Sequence, residues 1–270
     1  MNHAILFKIM QRKYKFRNPK HLLGLATDFV YSEDEYESAK NYILSLKEYN
    51  INYSYPGHIN YPLQFLKMKE PPLFFEYCGE PVWQQAAFLA VVGSREMHQF
   101  TESWLKQHLP EFLMHKVAGV VSGGARGVDQ LAHIIAIKNQ IPTIFVLPSG
   151  LLNLYPKSLE EIREHCMGLN VCFVSEFELQ QRINKSHFYF RNRLIAALGE
   201  VTLVAQASLK SGSLLTVHHS LEMGKPVLTV PAHPEMLGFD GNLKLMFDGA
   251  WSVRNSKDLL DFWITESCSN

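Results

Sequence analysis

From residue 86 onward the chain is a succession of short apolar runs separated by stretches with helical spacing. The runs fall at 88–92 (FLAVV), 117–121 (VAGVV), 143–147 (TIFVL), 171–174 (VCFV), 201–205 (VTLVA) and 227–230 (VLTV). Runs this short and this continuously apolar suit strands covered on both faces, and most of the segments between them are long enough for a crossover helix. The pattern therefore predicts an α/β fold with a doubly wound, mostly parallel sheet. Residues 1–55 are rich in Lys, Tyr and Glu and place Tyr36, Ala39, Ile43 and Leu46 at helical spacing, which predicts a small N-terminal helical region. Residues 56–85, with paired prolines and short aromatic runs, read as a connecting segment with one brief helix, and 86–265 as the sheet-bearing domain.

Charge excludes one broad class of explanation. Lys plus Arg number 26 and so do Asp plus Glu, so no global field draws the chain to nucleic acid or membrane, and any anion site has to be local. The four cysteines, Cys78, Cys166, Cys172 and Cys268, form no Cys-x-x-Cys pair and suggest neither a zinc motif nor a disulfide framework. No uncharged run reaches the length of a membrane span, and no secretory cleavage pattern follows the N-terminal apolar patch. A cytoplasmic protein with reduced thiols is expected, with no metal and no cofactor.

In open α/β sheets ligands bind beyond the carboxyl ends of the strands, so the residues that follow each strand are the candidates for function. They are Gly93-Ser94-Arg95, Ser122-Gly123-Gly124-Ala125-Arg126-Gly127, Pro148-Ser149-Gly150 and Lys210-Ser211-Gly212-Ser213. Small residues leading into helices offer backbone N–H groups and hydroxyls to an anion, and cations beside them add charge-assisted bonds to phosphate oxygens. The stretch FYFRNRLIAALGE (188–200) adds Arg191 and Arg193 in what reads as the opening of a helix, where cations are disfavoured unless an anion compensates them. Phosphate is the anion these five basic residues predict. Phe188, Tyr189 and Phe190, beside the arginines, are candidate platforms for base stacking, with packing against the sheet as the alternative.

Other chemistries are poorly supported. There is no Gly-x-Gly-x-x-Gly with a following acidic residue and no Gly-x-x-x-x-Gly-Lys-Ser/Thr, and neither Ser122 nor Ser211 lies in Gly-x-Ser-x-Gly. Asp129 and His133, four apart, fit a first-turn carboxylate and a partly buried histidine better than an acid/base pair, and His218-His219 fit surface or packing positions.

Eight ordered blocks resemble the DNA-processing protein A (DprA/Smf) family. They are YPLQFLKMKEPPLFFEYCGEP, VVGSRE, VSGGARGVDQLAH, TIFVLPSGLLNLYP, FVSEF, FYFRNRLIAAL, LKSGSLLTVHHSLEMGKPVLTVPA and DGNLKLMFDGA, and together they cover roughly residues 51–254. The resemblance implies an extended Rossmann-like domain that binds single-stranded DNA and helps load the RecA recombinase onto it in natural transformation, as a homodimer and without catalytic turnover. It implies that Ser94, Arg95, Ser122, Gly123, Arg126, Arg191, Asn192, Arg193, Lys210, Ser211, Gly212 and Ser213 line the DNA groove. Two departures are visible: Gln206 stands where the family pattern has glutamate, and Ala232-His233 where glycine follows Val-Pro. Local loop changes rather than lost binding are expected from both. The alternative is a nucleotide-handling enzyme like the Rossmann-like phosphoribohydrolases. Their Pro-Gly-Gly-x-Gly-Thr-x-x-Glu signature is matched here only by LKSGSLLTVHHSLE, which keeps Glu222 but lacks the glycine pair.

Overall fold

The computed structural model describes residues 2–15, 29–115, 118–166 and 168–267. The six apolar runs become the central strands β3 (Phe88–Gly93), β4 (Gly119–Ser122), β5 (Thr143–Val146), β6 (Val171–Ser175), β7 (Val201–Gln206) and β8 (Val227–Thr229). Position 117, where the second run was expected to begin, lies outside the described residues, as does Cys268. Three further strands, β1 (Asn52–Ser54), β2 (Phe75–Gly79) and β9 (Trp251–Ser252), complete a sheet of order β1-β2-β6-β5-β4-β3-β7-β8-β9. Pairing is parallel from β6 through β9, while β2 on β6 and β1 on β2 run antiparallel. The segment before residue 86 thus does more than connect, since it widens the sheet by two strands. Its prolines and aromatic residues hid the two short antiparallel runs from periodicity.

Burial on both faces explains why the central runs are continuously apolar. Along β3, Phe88, Ala90 and Val92 enter one core, with Leu194, Ile195 and Leu198 of α6 (Lys185–Leu198) and Val217 of α7 (Ser213–Glu222). Leu89 and Val91 enter the other, with α3 (Gln99–Leu113), α4 (Val128–Lys138) and α9 (Ser256–Ser267). On the β5 and β6 side a third cluster joins Phe145 and Phe173 to Ile5 and Ile9 of α1 (Asn2–Tyr14) and to Ala39, Ile43 and Leu46 of α2 (Glu33–Glu48). A capping box between Ser32 and Glu35 starts α2. Gln11 then ties α1 to the sheet, its Nε2 donating to the carbonyls of Phe74 (2.8 Å) and Glu176 (2.7 Å). The N-terminal helices are therefore built onto the same apolar core as the sheet.

Strand order reverses at β3. The chain proceeds from β3 through β4 and β5 to β6 on one side, then crosses to β7 on the other. The crevice that this reversal opens lies beyond Gly93 of β3 and Gln206 of β7, which are register partners.

Candidate nucleic-acid interface

A cleft of about 710 Å³ occupies that crevice. Its walls include Ser94 and Arg95 after β3, Phe188, Arg191 and Asn192 from α6, and Ser211, Gly212 and Ser213 at the start of α7. Seven of the expected phosphate-binding residues and one of the three aromatic candidates are thus gathered on one surface, although they come from segments more than 100 positions apart in sequence.

Helix α6 starts earlier than its apolar spacing suggests. Asn184 caps it, its side-chain oxygen accepting from the Ser186 N–H at 3.2 Å, so Arg191 and Arg193 lie in mid-helix, away from its opening turn. The macrodipole conflict read from the sequence therefore disappears, and burial takes its place as the reason the arginines need partners. Residues two apart on a helix point about 200° away from each other, so only one of the two can face the cleft. That one is Arg191. Its Nη1 donates to the carbonyls of Gly123 and Val146, both at 2.6 Å, and its Nε to Asn192 Oδ1 at 2.9 Å. Burial pulls its pKa down to about 10, with Asp129 acting in the opposite direction and Arg95 reinforcing the fall, so it remains a cation at neutral pH.

Arg193 turns to the other side of α6. It pairs with Glu176, donates to the Glu70 carbonyl at 2.9 Å, and is buried together with its carboxylate partner. It is held by protein and does not line the cleft.

The turn after β4 also has a different place from the one its glycines suggest. Its anion-binding N–H groups are already taken by Asp129, whose Oδ2 accepts from Gly123 at 3.2 Å and Ala125 at 3.4 Å. Burial raises the Asp129 carboxyl pKa, and the Arg191 guanidinium is the largest influence opposing that rise. Ser122 is fully buried, its hydroxyl donating to the Val91 carbonyl at 2.6 Å. A Cβ placed on Gly123 would stand 2.1 Å from Arg191 Nη1. This turn is a cradle for Arg191, and Arg126 alone projects from it into solvent. His133 is fully buried, stacked on Phe145 with Nδ1 2.7 Å from Thr143 Oγ1, and burial lowers its pKa to about 3, so it is a neutral packing residue.

The loop before α7 is organised from both sides. Asn192 Nδ2 donates to the Gly212 carbonyl at 3.2 Å, and the Ser213 hydroxyl to the Gly93 carbonyl at 2.9 Å. The first turn of α7 is closed by Ser211, whose hydroxyl accepts from the Ser213 N–H at 3.2 Å and whose carbonyl accepts from the Leu214 N–H at 3.1 Å. Gln206 pins the loop that carries Arg95. Its Oε1 accepts from the His98 N–H at 2.8 Å and the Thr101 hydroxyl at 3.0 Å, while its Nε2 reaches the Glu96 carbonyl at 3.5 Å. The last contact needs a donor and so is open to glutamine but not to an ionised glutamate.

In the cleft, the guanidinium carbons of Arg95 and Arg191 lie 5.1 and 5.7 Å from the centre of the Phe188 ring. The lysine and arginine ion pairs among the described residues use Lys8, Arg12, Lys40, Lys106, Arg193, Lys244 and Arg254. None uses Arg95, Arg126, Arg191 or Lys210. Two guanidinium groups thus converge on one ring, one of them exposed and in no ion pair among the described residues, beside the start of α7. Arg126 and Lys210 are exposed on the flanking loops. Tyr189 faces His219 with ring centres 5.0 Å apart, and neither it nor the half-buried Phe190 lines the cleft. Among the described residues no group of His, Cys, Asp or Glu is arranged to hold a metal ion.

The sequence model of the DNA recombination-mediator protein A family matches residues 52–264. The chain is 28% identical over 230 residues to the DNA processing protein DprA of Bacillus subtilis, covering 85% of this chain and 77% of that one. The crystal structure of DNA processing protein A from Streptococcus pneumoniae superposes with a TM-score of 0.76 at 24% identity, covering 96% of this chain and 92% of that one, a likeness of fold. DNA processing protein A from Helicobacter pylori, whose structure was determined for its single-stranded DNA binding mode, superposes with a TM-score of 0.69 at 28% identity, covering 80% of this chain and 97% of that one.

Proposed function

The chain belongs to the DNA recombination-mediator protein A family, and we propose that it binds single-stranded DNA in the β3/β7 cleft and passes the strand to a RecA-type recombinase. The observation that carries this reading is the pair Arg95 and Arg191 against the Phe188 ring, with Arg95 in no ion pair among the described residues. Single strands are held by cations that follow the phosphates and by aromatic faces that accept bases, and this cleft offers both within one ring's width. The single-stranded DNA binding of the Helicobacter pylori relative supports the same ligand. The family's description as recombination mediators supports the hand-over step, which in this reading takes place in the cytoplasm during natural transformation. In this reading the protein acts as a homodimer and catalyses no reaction, since Asp129, the buried carboxylate next to the cleft, is taken up by the N–H groups of Gly123 and Ala125.

The test is fluorescence anisotropy of a labelled single strand and its duplex over a salt series, with wild type and with Arg95→Ala, Arg126→Ala and Lys210→Ala. These three side chains are exposed, so their removal leaves the fold intact. Wild type is expected to prefer the single strand, with a log–log salt slope of about −0.7 for each phosphate contacted. Arg95→Ala should weaken binding by about tenfold or more, the loss of one or two charge-assisted hydrogen bonds, and flatten the slope by about one contact. Unchanged affinity in all three variants would remove the site assignment. Absence of binding to either oligonucleotide would favour a small nucleotide in the cleft. The hand-over step predicts that wild type, but not Arg95→Ala, shortens the lag before RecA hydrolyses ATP on a single strand coated with single-strand-binding protein.

A further inference from the structure

Two helices, α5 (Ser158–Cys166) and α8 (Asp240–Phe247), place no side chain in the cleft. The first turn of α8 nevertheless meets the strand from which one wall of the cleft departs. β8 ends at Thr229, opposite Val204, while β7 runs on to Gln206. The last residues of β7 therefore have no strand neighbour on that side, and their backbone groups need other partners. Asn242 supplies them. It is fully buried, and its Oδ1 accepts from the Ala207 N–H at 2.7 Å. Its Nδ2, with two hydrogens to share, lies 3.1 Å from the Val230 carbonyl and 3.3 Å from those of Val204 and Ala205. One side-chain amide thus does for β7 what a further residue of β8 would do. On the other edge, the Gln206 carbonyl accepts from the Ser94 N–H at 2.8 Å.

Gly241 completes the clasp. Its N–H donates to the Ala207 carbonyl at 2.9 Å. A Cβ placed on it would stand 2.6 Å from that oxygen and 2.9 Å from the Ser208 carbonyl oxygen, so the helix backbone lies against the chain with no room for a side chain. Ala207 and Ser208 open the loop that leads through Lys210 to α7. The far end of the loop is fixed by Asn192 and by the Ser213 hydroxyl, and the near end by Gly241 and Asn242. Lys210 stands exposed between these anchors. A lysine on a flexible stem meets a phosphate only where its backbone carries it, so the anchors decide whether the contact forms.

We propose that Asn242, together with Gly241, is a positioning residue for phosphate binding: it holds the exit of β7 so that the loop presents Lys210 to the strand. The inference rests on the single-stranded DNA reading above and adds to it a part for α8, which touches no DNA itself.

The experiment measures affinity for a single-stranded oligothymidylate over a salt series, at a temperature where melting curves show each variant folded. Asn242→Asp keeps the volume and the acceptor for Ala207 but sets a carboxylate against three carbonyls. Gly241→Ala keeps Asn242 and pushes Ala207 and Ser208 away, so it carries the test if the first variant does not fold. Each is expected to weaken binding about tenfold, the lower end for one charge-assisted contact, and to flatten the log–log salt slope by about 0.7. In a Lys210→Ala background the same substitution should cost less than about twofold, whereas in an Arg126→Ala background it should keep its full effect. A folded clasp variant with wild-type affinity would overturn the proposal. Equal losses in the two backgrounds would overturn it too, since they would mean that α8 steadies the whole sheet edge and not this loop. Wild-type affinity of Lys210→Ala alone would remove the phosphate from the loop and the proposal with it, while leaving the DNA reading on Arg95. If wild type binds no single strand, the DNA reading itself fails, an outcome distinct from the others.

Discussion

Arg193→Ala is expected to lower the free energy of unfolding by about 3–5 kcal/mol, the cost of removing one member of a buried ion pair and stranding the other. In a chain of this size that corresponds to a fall in melting temperature of roughly 6–20 °C. Glu176 is the group left behind. Its carboxylate is buried, burial already raises its pKa, and Arg193 is the largest influence holding the pKa down. Without the guanidinium its folded pKa moves further above its unfolded value, so the variant binds more protons folded than unfolded in the window between them. Stability in that window is lost as pH rises and recovered as it falls. The deficit relative to wild type should therefore shrink in denaturant melts taken at progressively lower pH towards 5. The double variant Arg193→Met with Glu176→Gln, which strands no charge, should lie closer to wild type at pH 7 than the single substitution. A single substitution within 1 kcal/mol of wild type at pH 7 would show that the pair carries no such weight, and would make Arg193 available for DNA after all.

The two arginines of one Arg-Asn-Arg run show how far the sequence could be read. Short apolar runs record burial on both faces directly, so the six central strands and the doubly wound sheet were visible, and with them the edge on which a ligand should sit. The residues that meet on that edge were also visible as a set, because strand ends converge in this fold whatever the loop details. What each side chain does there was not. Arg191 and Arg193 look alike as letters, and only the start of α6 at Lys185 fixes which of them faces the cleft. Ser-Gly-Gly after β4 has the composition of a phosphate turn, yet its N–H groups are filled by Asp129, a carboxylate six positions downstream of Gly123. The strands β1 and β2 escaped for another reason: at three and five residues, on the sheet's antiparallel side, they are too short for alternation to show.

Gly123→Ala should separate the cradle from the rest of the fold. Gly123 has no left-handed φ, in contrast to Gly124 at 66°, so alanine is acceptable to the backbone there. The obstacle is the Arg191 guanidinium, with three atoms between 2.1 and 2.6 Å from the position of a Cβ. Because the obstructing atoms are the far end of a flexible side chain, the expected response is displacement of Arg191 rather than unfolding. Its bonds to the Gly123 and Val146 carbonyls would break, and Asp129 would lose the nearest cation. Hydrogen bonds that involve a charged group are each worth about 1.5–3 kcal/mol, so a comparable loss of stability is expected. Affinity for single-stranded DNA should fall by about tenfold or more with it, although the methyl group itself is hidden from the ligand. The mechanism predicts strong non-additivity: in an Arg191→Ala background the glycine substitution has nothing to displace and should change DNA affinity by less than about twofold. Additive losses would mean that the Gly123 turn meets the phosphates itself. Coupled losses would mean that it serves the cleft through Arg191, with Asp129 occupying the anion position that the turn would otherwise offer.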